Sequence, residues 1–123
     1  RQLDLVPPSD PRMPEGAQAL KMRPMSVNNP AYYYVYYGTL ALYQHQGPVW
    51  SEWNDRLKET LPRLQNKNGS DAGSWDKGAG HAASGGRIIS TTLATLSLEV
   101  YYRLLPMYGF RNKEVAPPPK PKR

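Results

Sequence analysis

The sequence contains no cysteine and only two histidines among its 123 residues. Without cysteine the chain can form neither disulfide bonds nor thiolate zinc sites, and its redox compartment cannot be inferred. The two histidines, His45 and His81, provide few ligands for metal chemistry. We therefore expect no metal ion and no other cofactor, and the sequence assigns no catalytic or metal-binding residue.

The sequence also lacks an uninterrupted apolar segment long enough to cross a membrane. Its longest apolar stretch, residues 88–110, contains Glu99, Arg103 and Pro106. Charged side chains are costly within lipid, so these residues disfavour a membrane-spanning helix. We predict instead a helix that is buried in protein.

Proline and glycine are abundant, with thirteen and ten residues respectively. Their distribution predicts turns and extended connections between helices. It divides the chain into an N-terminal extended segment at 1–10, a helical segment at 11–108 and a proline-rich basic tail at 109–123. The formal net charge is +6, and the tail carries +4 of it because it holds five basic residues and one acidic residue. Basicity is therefore mainly a property of the tail.

Two start signals predict the first helices. Asp10 followed by Pro11 favours the beginning of a helix, which Pro24 ends. Asparagine followed by proline at positions 29–30 repeats the signal and predicts a second helix over residues 31–46. Apolar side chains surround this second helix, which is typical of a buried helix.

The pattern from residue 48 onward predicts two further helices and a loop. Pro48 opens a third helix with one apolar stripe and one charged face, and Pro62 should end or kink it. Residues 65–86 are polar and glycine-rich, and Trp75 is the large apolar side chain that can anchor them. A fourth helix over about residues 87–107 is apolar except for one sector, so we expect protein nearly all round it.

A glutamine after the third helix and a glycine-x-tryptophan in the loop precede this buried helix. They are Gln65, Gly73 and Trp75. The order resembles one repeat of the squalene cyclase and prenyltransferase-like α/α toroids, whose inner helices are enclosed on all sides. The resemblance implies that the glutamine side chain bonds backbone and that the indole packs on a neighbouring turn. The seven-residue spacer between Gln65 and Gly73 is longer than is usual in that family.

A closer likeness concerns the C-terminal part of large uncharacterised bacterial proteins of the planctomycete type, with prenyltransferase and squalene-oxidase-like repeats. Most of residues 11–108 is similar to this part. The resemblance implies an all-α fold, a partial α/α toroid of about four helices with a glycine-rich loop and an extended tail. The motifs that carry it are residues 36–42, 50–54, 73–75, 85–87 and 98–106.

A single repeat cannot bury its own hydrophobic faces. Burying one large apolar side chain contributes about 1.5–3 kcal/mol, and a whole domain is stable by only ~5–15 kcal/mol. Two helices that are apolar all round would lose much of that stability in water. We therefore expect the chain to complete its core on other protein chains or on the rest of a longer parent polypeptide.

Three tyrosines of the second helix admit two interpretations. Tyr33, Tyr36 and Tyr37 lie close together on one face of it. Such a stripe usually packs in a core, but it can also line a ligand cavity. A cyclase would further need a cluster of aspartates, and a protein prenyltransferase would need a cysteine-containing zinc set. The sequence contains neither.

Three charged residues of the fourth helix are candidates for structural contacts. Glu99 and Arg103 are four residues apart, which favours an ion pair that acts as a latch. Arg87 follows two glycines and can hold an anion at the helix start. The more common role of such a residue is to cap the helix or to bridge to a neighbouring helix.

The sequence as a whole favours a non-catalytic structural or protein-interaction module, the terminal part of a larger α/α toroid or helical assembly. One alternative is the aromatic-walled part of a terpene-cyclase-like or lipid-binding domain. Another is an accessory subunit that contacts nucleic acid through the basic tail. The first hypothesis predicts protein partners and disfavours nucleic acid.

Overall fold

The computed structural model describes residues 10–103, apart from the side chains of His81, Ala82 and Tyr101. Residues 1–9, most of the predicted N-terminal segment, and the tail at 109–123 lie outside this range. So does the predicted end of the fourth helix.

The described residues form helices and loops without a β-strand, which confirms the all-α class. The last short helix continues the preceding one after a single turn residue, Glu99. Four main helices result, as predicted. They are α1 (Arg12–Met22), α2 (Tyr32–His45), α3 (Gly47–Leu64) and α4 (His81–Leu98), with α5 (Val100–Arg103) as the continuation of α4.

The predicted start of α1 and end of α3 agree with the structure. The Asp10 carboxylate accepts a hydrogen bond from the Arg12 backbone N–H over 2.9 Å. The Arg12 guanidinium also bonds this carboxylate, and both contacts lower the pKa of Asp10 to about 2. At the other boundary, α3 ends at Leu64, two residues after Pro62.

The start of α4 differs from the prediction. Residues 81–85, which we expected to belong to the glycine-rich loop, form a helical turn that begins at His81. Alanine at 82 and 83 favours helix strongly enough to begin it. Gly86 then adopts φ +64°, a left-handed conformation that favours glycine, and the regular helix resumes at Arg87. The predicted boundary at residue 87 is therefore an interruption within α4.

The core consists of two clusters at opposite ends of the α2–α3 pair. The first joins α2, α3, α4 and the loop through Tyr32, Val35, Leu57, Leu61, Trp75 and Ala94. The second joins α1, α2, α3 and α5 through Ala17, Leu42, Tyr43, Trp50, Trp53 and Val100.

The contact between α2 and α3 depends on a glycine. A Cβ atom at Gly38 would lie 3.0 Å from the Trp53 ring, so glycine permits the close approach of the indole. The Trp53 indole N–H donates to the Thr39 hydroxyl over 3.0 Å, and this hydroxyl donates to the Val35 carbonyl over 2.7 Å. Both buried polar groups, the indole N–H and the hydroxyl, therefore have hydrogen-bond partners.

Among residues 10–103, neither α2 nor α4 is enclosed on all sides. On α2, Tyr33 and Tyr37 are exposed on the side opposite the buried Val35. On α4, Ile88 and Ile89 are exposed. The expectation that protein surrounds α4 almost completely is thus not met by the described residues alone. Within residues 10–103, no helix combines the length and the apolar character that a membrane-spanning segment needs.

Candidate functional site

Trp75 is the buried anchor of the connecting loop, which comprises residues 65–80 between α3 and α4. Its side chain is buried, and its indole N–H donates to the Leu61 backbone oxygen over 2.7 Å. Leu61 lies in the last turn of α3, where backbone carbonyls lack donors from a following turn. The indole therefore supplies a donor to the C-terminal end of α3.

Gln65 and Asn66 close the connecting loop by pairing with residues near Trp75. The Gln65 side-chain amide donates to the Gly73 backbone oxygen over 2.9 Å, and Gln65 forms an isolated antiparallel bridge with Trp75. The Asn66 N–H donates to the Ser74 backbone oxygen, and the Gly73 N–H donates to the Asn66 oxygen, each over 2.8 Å. The glutamine thus bonds backbone of the loop, and the indole bonds the last turn of α3.

Two hydroxyl groups of α4 bind the outgoing end of the connecting loop. The Thr91 hydroxyl accepts from the Trp75 backbone N–H over 3.1 Å, and the Ser90 hydroxyl accepts from the Gly78 N–H over 3.3 Å. Ser90 is fully buried. These contacts fix the loop across α4 and satisfy backbone donors that are removed from water.

Arg87 lies between two carboxylates of the connecting loop. Its guanidinium is 2.7 Å from the Asp76 carboxylate and 3.2 Å from the Asp71 carboxylate, and it donates to the Ser74 hydroxyl over 3.1 Å. These contacts join the start of α4 to the connecting loop, whereas the predicted bridge was to a neighbouring helix. Since these side chains are exposed to solvent, each ion pair contributes at most about 1 kcal/mol.

Asp76 also affects a buried tyrosine at the start of α2. Burial of Tyr32, together with the negative charge of Asp76, raises the pKa of Tyr32 to about 12. The backbone of Gly78 lies against the Tyr32 ring. A Cβ atom at Gly78 would come within 2.8 Å of this ring and would overlap the Pro30 carbonyl oxygen. The connecting loop is therefore packed tightly against the beginning of α2.

The predicted pair on α4 and α5 is not formed. Glu99 and Arg103 are both exposed, and none of the ion pairs among residues 10–103 joins them. Their backbones are linked by a hydrogen bond of 3.3 Å. The predicted latch is therefore absent because both side chains extend into solvent, where such a pair contributes only ~0.3–0.5 kcal/mol.

An open apolar groove of about 480 Å³ runs along α2. Three tyrosines line it, and the neighbouring small residues leave room between them. Two of these tyrosines belong to the predicted ligand wall, whereas Tyr36, the third predicted residue, packs edge-on against Tyr37 with ring centroids 5.1 Å apart. We call this feature the tyrosine groove, lined by Leu20, Tyr33, Tyr34, Tyr37, Gly38 and Ala41 among others.

Within residues 10–103, the polar side chains around the connecting loop bond backbone or one another. No group of three or more histidine, aspartate or glutamate side chains in this part of the chain can hold a metal ion. The hydroxyls of Ser90 and Thr91 accept from loop backbone, and Arg87 is occupied by two carboxylates. His45 ends α2 half-buried, at the edge of a small cleft beside α1.

Sequence reasoning did not identify Asn66, Ser90, Thr91 and Gly78 as parts of this arrangement. The available signal was the position of two hydroxyl residues within an otherwise apolar helix. Such residues are common in helices, so their loop partners are visible only in three dimensions.

Comparison of the chain with protein-family models, with curated proteins and with solved structures finds no match. The all-α class therefore rests on the helices themselves, and the resemblance to α/α toroids stays a prediction.

Proposed function

We propose that this chain is a non-catalytic structural or protein-interaction module, the terminal part of a larger α/α toroid or helical assembly. The observation that carries the proposal is the exposure of large apolar side chains on α4 and α5. Ile88 is 79 % exposed and Tyr102 is 90 % exposed. Ile88 lies near the start of α4 and Tyr102 in α5, its continuation.

Exposed apolar residues of this size favour burial against another protein surface. Covering one isoleucine contributes about 1.5–3 kcal/mol. Ile89, which is 40 % exposed, adds to the same end of α4. A neighbouring helix of the assembly would cover this surface, which we call the α4 face, defined by Ile88, Ile89 and Tyr102.

The mass of the full chain in solution tests the proposal. We expect an average mass above 13.9 kDa that rises with protein concentration, because in the purified sample only other copies of the chain can cover the α4 face. Ile88→Lys should weaken this association about tenfold or more, because it places a charge in the contact. Light scattering after size-exclusion chromatography measures both.

Ser51→Lys is the matched control, since Ser51 is exposed on α3 and the substitution adds the same charge. It should leave the mass unchanged. A lone particle of 13.9 kDa that melts cooperatively at every concentration would contradict the proposal.

A second candidate function is the binding of an apolar ligand, as the aromatic-walled part of a terpene-cyclase-like or lipid-binding domain. The tyrosine groove favours it, because its lining is apolar and its volume is within the ~300–1,000 Å³ of small-molecule sites. The nucleic-acid hypothesis depends on the basic tail, which lies outside the described residues, and no observation on residues 10–103 favours it.

A further inference from the structure

We infer that the tyrosine groove binds the proline-rich end of this same chain, residues 115–123. The inference goes beyond the proposed function, because it concerns α2 rather than the α4 face. It rests on the chemistry of the groove, on the residue pattern of the tail and on the length of chain between them.

The groove has the chemistry that recognises proline. Its tyrosines are accessible, with Tyr33 45 % and Tyr37 51 % exposed and their ring centroids 4.6 Å apart. None of the described residues that line it carries a charge. Aromatic-lined grooves bind extended proline-rich segments in several recognition modules, since flat rings match the proline ring. Proline also lacks a backbone N–H, so it leaves no unsatisfied donor in an apolar site.

The tail sequence has one face that matches the groove. A polyproline II helix has three residues per turn and rises ~3.1 Å per residue, so every third residue shares a face. Val115, Pro118 and Pro121 then form one apolar face about 19 Å long. The basic residues Lys120 and Lys122 fall on the two other faces, where their charges stay in water. The uncharged face is therefore the one that suits an uncharged groove.

The chain between the described residues and this segment is long enough to reach α2. Eleven residues separate Arg103 from Val115, and an extended chain of that length spans up to about 36–40 Å. The linker starts at the end of α5, which packs on α2 because Val100 shares a cluster with Leu42 and Tyr43. With 14 residues, α2 is only about 21 Å long, so the tyrosine groove lies within reach. Intramolecular attachment also raises the effective concentration of the tail to the millimolar range.

Disulfide cross-linking in the full chain tests the inference, because the natural sequence has no cysteine to interfere. One variant carries Lys120→Cys and Ala41→Cys, which places one thiol in the tail and one in the groove. The control carries Lys120→Cys and Thr92→Cys, which places the second thiol at an exposed position of α4, closer to the tail in sequence. We expect oxidised glutathione to form the intramolecular groove disulfide at least about tenfold faster.

Substitutions within the cross-linking variant separate specific binding from random encounter. Tyr37→Ala and the double change Pro118→Ala with Pro121→Ala should each slow the groove disulfide about tenfold, as truncation of a central aromatic contact does. Met22→Ala removes an exposed apolar side chain outside the groove and should leave the rate unchanged. Far-UV circular dichroism shows whether each variant keeps its helices.

Three results would overturn the inference. Equal rates for the groove pair and the Thr92 pair would mean that the tail has no preferred site. A disulfide-linked dimer as the main product would assign the groove to the tail of another copy. Saturable binding of oleate that Tyr37→Ala abolishes, with a cross-linking rate that Tyr37→Ala leaves unchanged, would assign it to an apolar small molecule.

Discussion

The hydrogen bond from the Trp75 indole to the Leu61 carbonyl predicts a specific loss of stability. In Trp75→Phe the smaller ring removes about two buried carbon atoms, which corresponds to ~1.6 kcal/mol at ~0.8 kcal/mol per buried CH₂ group. It also leaves a buried carbonyl at the end of α3 without this donor, which costs a further ~1–3 kcal/mol. We therefore expect a loss of about 2.5–4.5 kcal/mol in the free energy of unfolding.

Trp53→Phe is the matched control, because it makes the same change at a similarly buried tryptophan. Trp53 and Trp75 are 7 % and 4 % exposed. The Trp53 indole donates to the Thr39 hydroxyl, which keeps its own bond to the Val35 carbonyl after the substitution. The control therefore loses the same ring area and a hydrogen bond worth ~0.5–1.5 kcal/mol, but no backbone carbonyl loses its donor.

Urea unfolding followed by far-UV circular dichroism measures the difference between the two variants. The protein concentration must be equal in both experiments, because association would shift the apparent stability. We expect Trp75→Phe to be less stable than Trp53→Phe by about 0.5–1.5 kcal/mol. If the two variants unfold at the same urea concentration with the same slope, the indole does not stabilise the end of α3 and the reasoning is refuted.

Two further changes test the packing of the connecting loop. Gly78→Ala should lower the free energy of unfolding by about 1–3 kcal/mol, since the new Cβ overlaps the Pro30 carbonyl. The control Gly16→Ala, which has open space around it in α1, should raise the free energy of unfolding by ~0.5–1 kcal/mol. Urea unfolding measures both changes, and equal effects would contradict the close approach of Gly78 to Pro30. The folded state raises the pKa of Tyr32 to about 12, above its ordinary value of 10. The stability that the protonated tyrosine contributes is therefore complete below pH 10 and is lost as the pH rises to 12. Between pH 10 and 12 the free energy of unfolding of Tyr32→Phe should fall less steeply than that of the natural chain, and equal slopes would refute the raised pKa.

The sequence by itself determined the helices and the anchor of the connecting loop. Start signals at Asp10 and at Pro48 and the stop at Pro62 are local backbone effects, so they act in the same way before and after folding. Trp75 was identifiable because it is the large apolar residue in a polar segment, and such a side chain is buried wherever the fold allows it.

Tertiary structure alone decided which apolar surfaces are covered and which hydroxyls receive the loop. A helix that is apolar all round has no pattern to show which side faces the core, so the exposure of Tyr33 and Tyr37 depends on where α3 and α4 pack. The contacts of Ser90 and Thr91 likewise join residues 12 to 16 positions apart, and no local preference encodes them. Local backbone energies fix the helices, whereas burial is a property of the neighbours that each helix finds.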